Sequence, residues 1–179
     1  MSDLPYHELP PPPASVSGVT VLCRLADGLA FRYRWATEDL RPADLAFTPC
    51  AGAMSLGKLL AHMRILVEWV DGTLRGALAH EPADIDDPAP PRGDELEELR
   101  QGTLAAIVSL RAALLELGDE RLAGVTITGA PHKGPQPFWS LLNGPLADFL
   151  THVGQVNSWR RMAGNPPLRA DVFRGRAPL

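Results

Sequence analysis

The feature that most constrains the fold of this chain is a repeat of apolar residues with helical spacing, which recurs in four separate segments. The same period runs through residues 19–36, 56–74, 96–117 and 138–163. In the third segment its positions are Leu96, Leu99, Thr103, Ala106, Ile107, Leu110, Leu114 and Leu117. Residues three and four positions apart share one face of a helix, so each segment predicts an amphipathic helix. Because no segment makes a convincing sheet, we predict an all-α four-helix bundle.

Helix-ending residues and long connections separate these segments. Ser55 stands where an N-cap is expected, and Gly118 and Gly164 follow the third and fourth predicted helices as left-handed stops. The loops after the first and third helices are long, and the loop over residues 118–137 contains GVTIT, which suits a short extended piece. Connections of this length are uncommon in compact domains and often carry function.

We predict one folded domain, over residues 15–167. A proline-rich arm, residues 1–14, precedes it, and the run of prolines in this arm favours an extended conformation outside the core. A short basic tail, residues 168–179, follows the domain. A chain of 179 residues is long enough to bury a sizeable core in a single domain.

Charge and hydropathy argue against two classes of partner. The formal net charge is -4 at pH 7, whereas a nucleic-acid-binding surface needs a basic patch. No apolar run approaches the roughly 18 residues of a membrane-spanning helix. The first residues contain an acid and several prolines where a signal peptide has basic residues and an apolar run. We therefore expect a cytoplasmic protein that binds neither nucleic acid nor membrane.

Polar residues form a stripe along the fourth predicted helix. In LADFLTHVGQVNSWRRMAGNPP, residues 146–167, Asp148, His152, Gln155 and Trp159 stand at positions i, i+4, i+7 and i+11. These spacings put all four on one side of the helix, beside its apolar face. Bundles build metal and ligand sites at such positions, where a side chain faces a groove or cavity between helices.

The second predicted helix offers a matching residue, His62, on the flank of its own apolar face. Imidazole nitrogen and carboxylate oxygen suit zinc, nickel, iron(II) or manganese, so His62, Asp148 and His152 are candidate ligands. Three protein ligands leave coordination positions open to water or substrate, as in catalytic metal sites. The alternative is structural, since an aspartate and a histidine one turn apart often form an ordinary hydrogen-bonded pair.

Several common site motifs are missing from the sequence. There is no H-E-x-x-H, no E-x-x-H pair of a di-iron bundle, and no glycine-rich nucleotide loop. The chain also lacks paired C-x-x-C motifs and the G-x-S-x-G elbow of serine hydrolases. No residue stands out as a catalytic acid, base or nucleophile, so the catalytic residues stay unassigned.

Two stretches carry a family resemblance. MSLGKLLAHMRILVEWV, residues 54–70, is followed by GPLADFLTHVGQVNSWRRMAGNP, residues 144–166. Together they resemble the DinB/YfiT-like family of metal-dependent enzymes, and the likeness covers most of the chain after residue 15. The resemblance implies a DinB-like four-helix bundle with its helices in up-down-down-up order.

The resemblance also implies a metal site of three histidines, one on the second helix and two standing four residues apart on the fourth. His62 matches the first of these ligands and His152 the last, while Asp148 replaces the middle histidine. The implied cofactor is a divalent ion, with zinc or nickel expected first and manganese or iron as alternatives. Gln155, one turn beyond His152, is expected to hold a ligand or a bound water rather than the ion itself.

The family likeness implies a metal-dependent hydrolase or a thiol S-transferase that acts on a small molecule. The cofactor of the second activity would be a low-molecular-weight thiol such as bacillithiol or mycothiol. The likeness also implies a homodimer. A different class of function stays open, in which the chain is a non-catalytic, dimeric helical protein for binding or stress response and holds no functional metal.

Overall fold

A computed structural model describes residues 4–76, 82, 84–127 and 134–179, and within these ranges the protein is all-α apart from one small strand pair. The long helices are α1 (Gly18–Thr37), α2 (Leu56–Leu74), α3 (Leu96–Leu122) and α5 (Ala147–Met162), with a single turn, α4 (Trp139–Leu141), before the last. Short 3-10 turns lie at Pro42–Ala46 and Gly93–Glu95. None of the described helices combines the length and the apolar character needed to cross a membrane.

The first two helices begin at serine caps. The Ser17 hydroxyl accepts a hydrogen bond from the Thr20 backbone N–H, and the Thr20 hydroxyl accepts one from the Ser17 backbone at 2.8 Å. This reciprocal capping box satisfies two backbone groups that the first turn leaves free. At α2 the Ser55 side chain accepts from the backbone of Lys58 at 3.2 Å. The prediction of an N-cap at Ser55 is therefore confirmed.

The regular part of the third helix is interrupted at Gly118, as predicted. This residue has a φ of 67°, as predicted for a left-handed stop, but one further helical turn follows it up to Leu122. The extra turn is tied to the start of α1, because the Asp119 carboxylate accepts a hydrogen bond from the Val19 backbone N–H at 2.6 Å. A contact between residues far apart in sequence thus fixes the separate helical turn that follows the stop.

The fourth predicted helix is interrupted near its start. After α4, residues Leu142–Leu146 form a wide π turn before α5 begins. Pro145 lies inside this turn, and a proline has no N–H to donate to the preceding helical turn, which explains the break. The prediction of one continuous helix over 138–163 is therefore wrong for the residues before Ala147. Gly164 takes a φ of 73° and ends α5 as predicted.

A two-residue antiparallel strand pair precedes α4. Thr126–Ile127 pairs with Gln136–Pro137, so the extended piece expected within GVTIT is present. The rest of the predicted long loop falls partly on residues 128–133, which lie outside the described part of the chain. The strand pair brings the chain from the end of α3 back towards the start of α5.

The core lies between the four long helices. Helix α3 packs against both α1 and α2, and α5 also packs against both, so α1 and α2 each face chiefly α3 and α5. The large, fully buried side chains include Phe31, Tyr33, Leu60, Met63, Ile107 and Phe149. Burial raises the pKa of the Tyr33 hydroxyl to about 12, and this hydroxyl lies 3.2 Å from the Thr103 side chain. The predicted apolar stripes therefore meet in one core.

Arg160 joins the end of α5 to the end of α1. Its guanidinium is almost fully buried and donates to the backbone carbonyls of Ala36 at 2.8 Å and Glu38 at 2.7 Å. These carbonyls belong to the last turn and the cap of α1, where a helix has no partners of its own. Burial lowers the pKa of Arg160, and hydrogen bonds to three carbonyls, including that of Asn165, compensate for the buried charge.

The N-terminal arm is docked on α1. Leu4 is 7% exposed and belongs to the apolar core, so the prediction that the arm lies outside the core is wrong for this residue. The Tyr6 hydroxyl donates to the buried carboxylate of Asp27 at 3.0 Å, and Arg34 donates to the Leu4 carbonyl at 2.7 Å. Burial, followed by the Asp27 charge, raises the pKa of Tyr6 above its usual value.

Candidate metal centre

The three side chains proposed from the sequence converge at one point between α2 and α5. The Nε2 atom of His62 lies 3.2 Å from one carboxylate oxygen of Asp148, and the Nε2 atom of His152 lies 3.1 Å from the other. One donor atom from each residue lies within 4.8 Å of the others. The two imidazole rings meet edge to face, with their centroids 4.8 Å apart. The structure therefore brings together residues separated by 86 positions in the chain.

Helix geometry explains this convergence. His62 lies in the middle of α2 and is 6% exposed, so its ring points into the space between helices. Asp148 is the second residue of α5, and His152 follows one turn later, about 6 Å further along the axis on the same face. The Asp148 side chain is 45% exposed, whereas that of His152 is 14% exposed. The carboxylate thus forms the solvent-facing side of the cluster.

The other nitrogen of each ring is held by an oxygen. The Nδ1 atom of His62 lies within hydrogen-bonding distance of the Ile85 backbone carbonyl, and that of His152 lies 2.6 Å from the side-chain oxygen of Gln155. A carbonyl oxygen only accepts hydrogen bonds, so each Nδ1 carries the proton. In the neutral imidazole the lone pair is then on Nε2, the atom that faces Asp148.

In this arrangement three hydrogen-bond acceptors lie close together. Two imidazole lone pairs and a carboxylate lie at hydrogen-bond distance with no proton between them when both rings are neutral. A cation bound between these acceptors would satisfy all three at once. In a tetrahedral site with bonds of about 2.1 Å, neighbouring ligand atoms lie about 3.4 Å apart. The two histidines contact different oxygens of Asp148, at 3.2 and 3.1 Å. With one donor atom taken from each residue, the three atoms lie within 4.8 Å of one another, so small side-chain adjustments would close them around a divalent ion.

A cavity of about 460 Å³ opens beside the cluster. His62 and Asp148 both line it, so a bound molecule has direct access to the point where the donor atoms converge. Its apolar lining includes Leu66, Trp69 and Ile127 among the described residues. A concave, largely apolar space with a few polar groups is the usual form of a small-molecule site.

The π turn forms part of the same cavity. Asn143, Gly144 and Pro145 line it, and Asp148 follows three residues later. The break in the helix therefore places irregular backbone beside the cluster, a feature often found at functional sites. The sequence signal for this break was Pro145 itself, within a segment that otherwise has helical periodicity.

Sequence reasoning missed two groups of this site. Ile85 contributes a backbone carbonyl to His62 from a proline-rich segment, and no sequence pattern identifies a main-chain acceptor. Trp69 stands seven residues after His62 and so shares its helix face, a signal that the sequence does contain. Gln155 contacts His152 as expected, and Trp159 packs against the core rather than at the cluster.

Comparison of the sequence with known protein families and with curated proteins finds no match in either set. The functional argument for this chain therefore depends on the geometry of the cluster and the cavity.

Proposed function

We propose that this protein is a divalent-metal-dependent enzyme that acts on a small molecule in the cavity beside His62, Asp148 and His152. The observation that carries the proposal is the convergence of three acceptor atoms whose imidazoles are each oriented by an outer oxygen. Metal-binding histidines have the same arrangement, with the second ring nitrogen donating to a carbonyl or carboxylate. An ordinary surface pair does not require both rings to be oriented in this way.

The donor set favours particular ions. Two imidazole nitrogens and one carboxylate oxygen are ligands that zinc and nickel accept readily. Manganese and iron(II) are the alternatives, because a carboxylate shifts preference towards harder ions. We therefore propose zinc or nickel as the cofactor.

The residues of the chain support a simple division of roles. A divalent ion held here would act as a Lewis acid that lowers the pKa of a coordinated water or thiol. Asp148 reduces the net charge of the centre by one, and Ile85 and Gln155 fix the ring orientations of the two histidines. The apolar wall around Trp69 excludes water from one side of a bound substrate. A water activated by the ion would carry out hydrolysis, and an activated thiol would carry out thiol transfer. We therefore propose one of these two reaction classes.

The fold that we propose for this function is a DinB-like four-helix bundle. The observation that supports it is the packing of α3 and α5 each against both α1 and α2, with the candidate ligands on α2 and α5. We also propose a homodimer. Exposed apolar residues on two neighbouring helices support it: Val21 and Leu25 on α1, and Val108 and Leu115 on α3. Light scattering should give twice the chain mass, and a single chain mass at micromolar concentration would contradict the dimer.

Metal analysis tests the proposed function. Protein purified without an affinity tag or chelator should contain about one divalent ion per chain, measured by elemental analysis. His152→Ala should remove binding at little cost in stability, because its side chain is outside the apolar core. Asp148→Asn should weaken binding without abolishing it, because an amide oxygen is a poorer ligand than a carboxylate.

His7→Ala is the matched control. It removes an exposed histidine of the arm that contacts Trp35 edge to face, away from the cluster, so metal content should not change. If wild-type protein stays metal-free after incubation with zinc and with nickel, the metal proposal is wrong. The cluster would then be structural, as in the non-catalytic alternative.

A further inference from the structure

Negative groups outnumber positive ones in the described lining of the cavity. Its described lining contains two carboxylates, Asp86 and Asp148, and no lysine or arginine. Asp148 faces the two histidines of the cluster. Asp86 is exposed and has no hydrogen-bond or ion-pair partner among the described residues. The next residue, Asp87, pairs with Lys58, so this nearby ammonium group is already engaged.

This excess of negative charge predicts which charge a bound ligand should carry. A divalent ion with one carboxylate ligand has a net charge of +1, and a bound thiolate would neutralise it. The carboxylate of Asp86 is then the uncompensated charge of the described lining. A second negative group on the ligand would meet Asp86, and the described lining offers no guanidinium or ammonium group to pair with it. A positive group would gain an ion pair at Asp86.

The apolar part of the lining adds to this preference. Trp69 is 8% exposed and lines the cavity together with Leu66 and Ile127. An indole face attracts cations as well as alkyl groups. The cavity therefore combines an apolar surface, an aromatic ring and a carboxylate that has no partner within the described part of the chain.

We propose that the ligand of this cavity is a small molecule with an apolar body and an amino group, whose thiol or hydroxyl group reaches the metal. The inference depends on the proposed function for the metal contact. The charge preference itself depends only on Asp86 and the cavity lining.

A matched series of thiols tests the proposal on cobalt-substituted protein. Aminohexanethiol, mercaptohexanol and mercaptohexanoate have the same chain length and differ in the charge of the far end. Binding is followed by the thiolate-to-cobalt charge-transfer absorption. Aminohexanethiol should bind about fivefold more tightly than mercaptohexanol, and mercaptohexanoate about fivefold more weakly, as expected for one partly exposed ion pair. Equal or tighter binding of mercaptohexanoate would overturn the proposal.

Two variants test whether Asp86 is the residue that causes the preference for the amino group. Asp86→Asn should bring the affinities of the three thiols close together. Asp84→Asn removes the same charge from an exposed residue of the same segment that does not line the cavity, so the order of affinities should persist. If the order survives Asp86→Asn, the amino group is not recognised by this carboxylate and the inference is wrong.

Failure of the proposed function gives a different result. If no cobalt binds, its visible spectrum is absent, and the charge preference is then measured on metal-free protein. Hexylamine and hexanoate serve as probes, with tryptophan fluorescence as the readout, because Trp69 lines the cavity. Tighter binding of hexylamine would support the ligand class without the metal, whereas equal binding, or no binding of either probe, would overturn it.

Discussion

Gln155 allows a direct test of how the cluster is organised. Its side-chain oxygen accepts the Nδ1 proton of His152 at 2.6 Å and so directs the Nε2 lone pair towards Asp148. Gln155→Ala removes this acceptor and leaves all three proposed ligands in place. The His152 ring can then rotate or change tautomer, so metal binding should weaken. Loss of such an outer partner typically lowers metal affinity by about 10- to 100-fold.

The expected loss of metal-induced stabilisation can be calculated, because a metal that binds only the folded protein raises its free energy of unfolding. At a metal concentration about 100 times the dissociation constant, binding stabilises the wild-type protein by about 2.7 kcal/mol. A tenfold weaker variant would retain about 1.4 kcal/mol at that concentration, and a hundredfold weaker one about 0.4 kcal/mol. For a chain of 179 residues, 1 kcal/mol corresponds to about 2–4 °C in Tm. The metal-induced shift should therefore fall from about 5–11 °C to below about 6 °C.

Thermal unfolding with and without added zinc or nickel measures this shift. The difference between the two curves isolates metal binding from the small cost of losing a hydrogen bond in the metal-free protein. Gln155→Glu should keep most of the shift, because a carboxylate of the same length still accepts the Nδ1 proton. Ser158→Ala, an exposed change on the same helix, should behave as wild type. A full metal-induced shift in Gln155→Ala would refute the proposed role of the Nδ1 hydrogen bond.

Two further predictions concern stability. Burial opposes ionisation of Asp44, but hydrogen bonds from Arg41 and Asn165 outweigh it and hold the pKa of the carboxyl below its usual value. Its stabilising effect should therefore be present above the unfolded-state pKa of about 3.9 and be lost as pH falls through the lower folded-state value. Asp44→Asn should cost about 2 kcal/mol in urea unfolding at neutral pH and progressively less in acid, whereas a cost independent of pH would count against this account. Leu4→Ala should cost about 2 kcal/mol because it empties a buried position, and an unchanged unfolding midpoint would show that the arm is not docked.

The helices could be predicted because their signals are local. The period of the apolar residues and the caps at Ser55 and Gly164 depend on neighbours within a few positions. Errors arose where a distant residue or a backbone constraint intervened. Leu4 of the arm is buried in the core beside α1, and Pro145 widens the helix before α5.

The candidate site was predictable only in part. The spacing of Asp148 and His152 places them on one face of any helix, so their proximity needs no tertiary information. His62 was a candidate from its flank position on the second helix, but helical spacing does not say which helix that flank faces, so its meeting with Asp148 could not be derived from periodicity. The backbone carbonyl of Ile85 carries no sequence signal at all.

The sequence by itself determined an all-α chain and the residues that each helix would turn towards a core. Local hydrogen bonding and side-chain periodicity are sufficient for that result. Only the tertiary structure decided that α2 and α5 are neighbours, that His62 meets Asp148, and that a cavity opens beside them. Those features depend on how the helices pack and on where each connection crosses. Many weak contacts between distant residues fix both, and no local pattern specifies them.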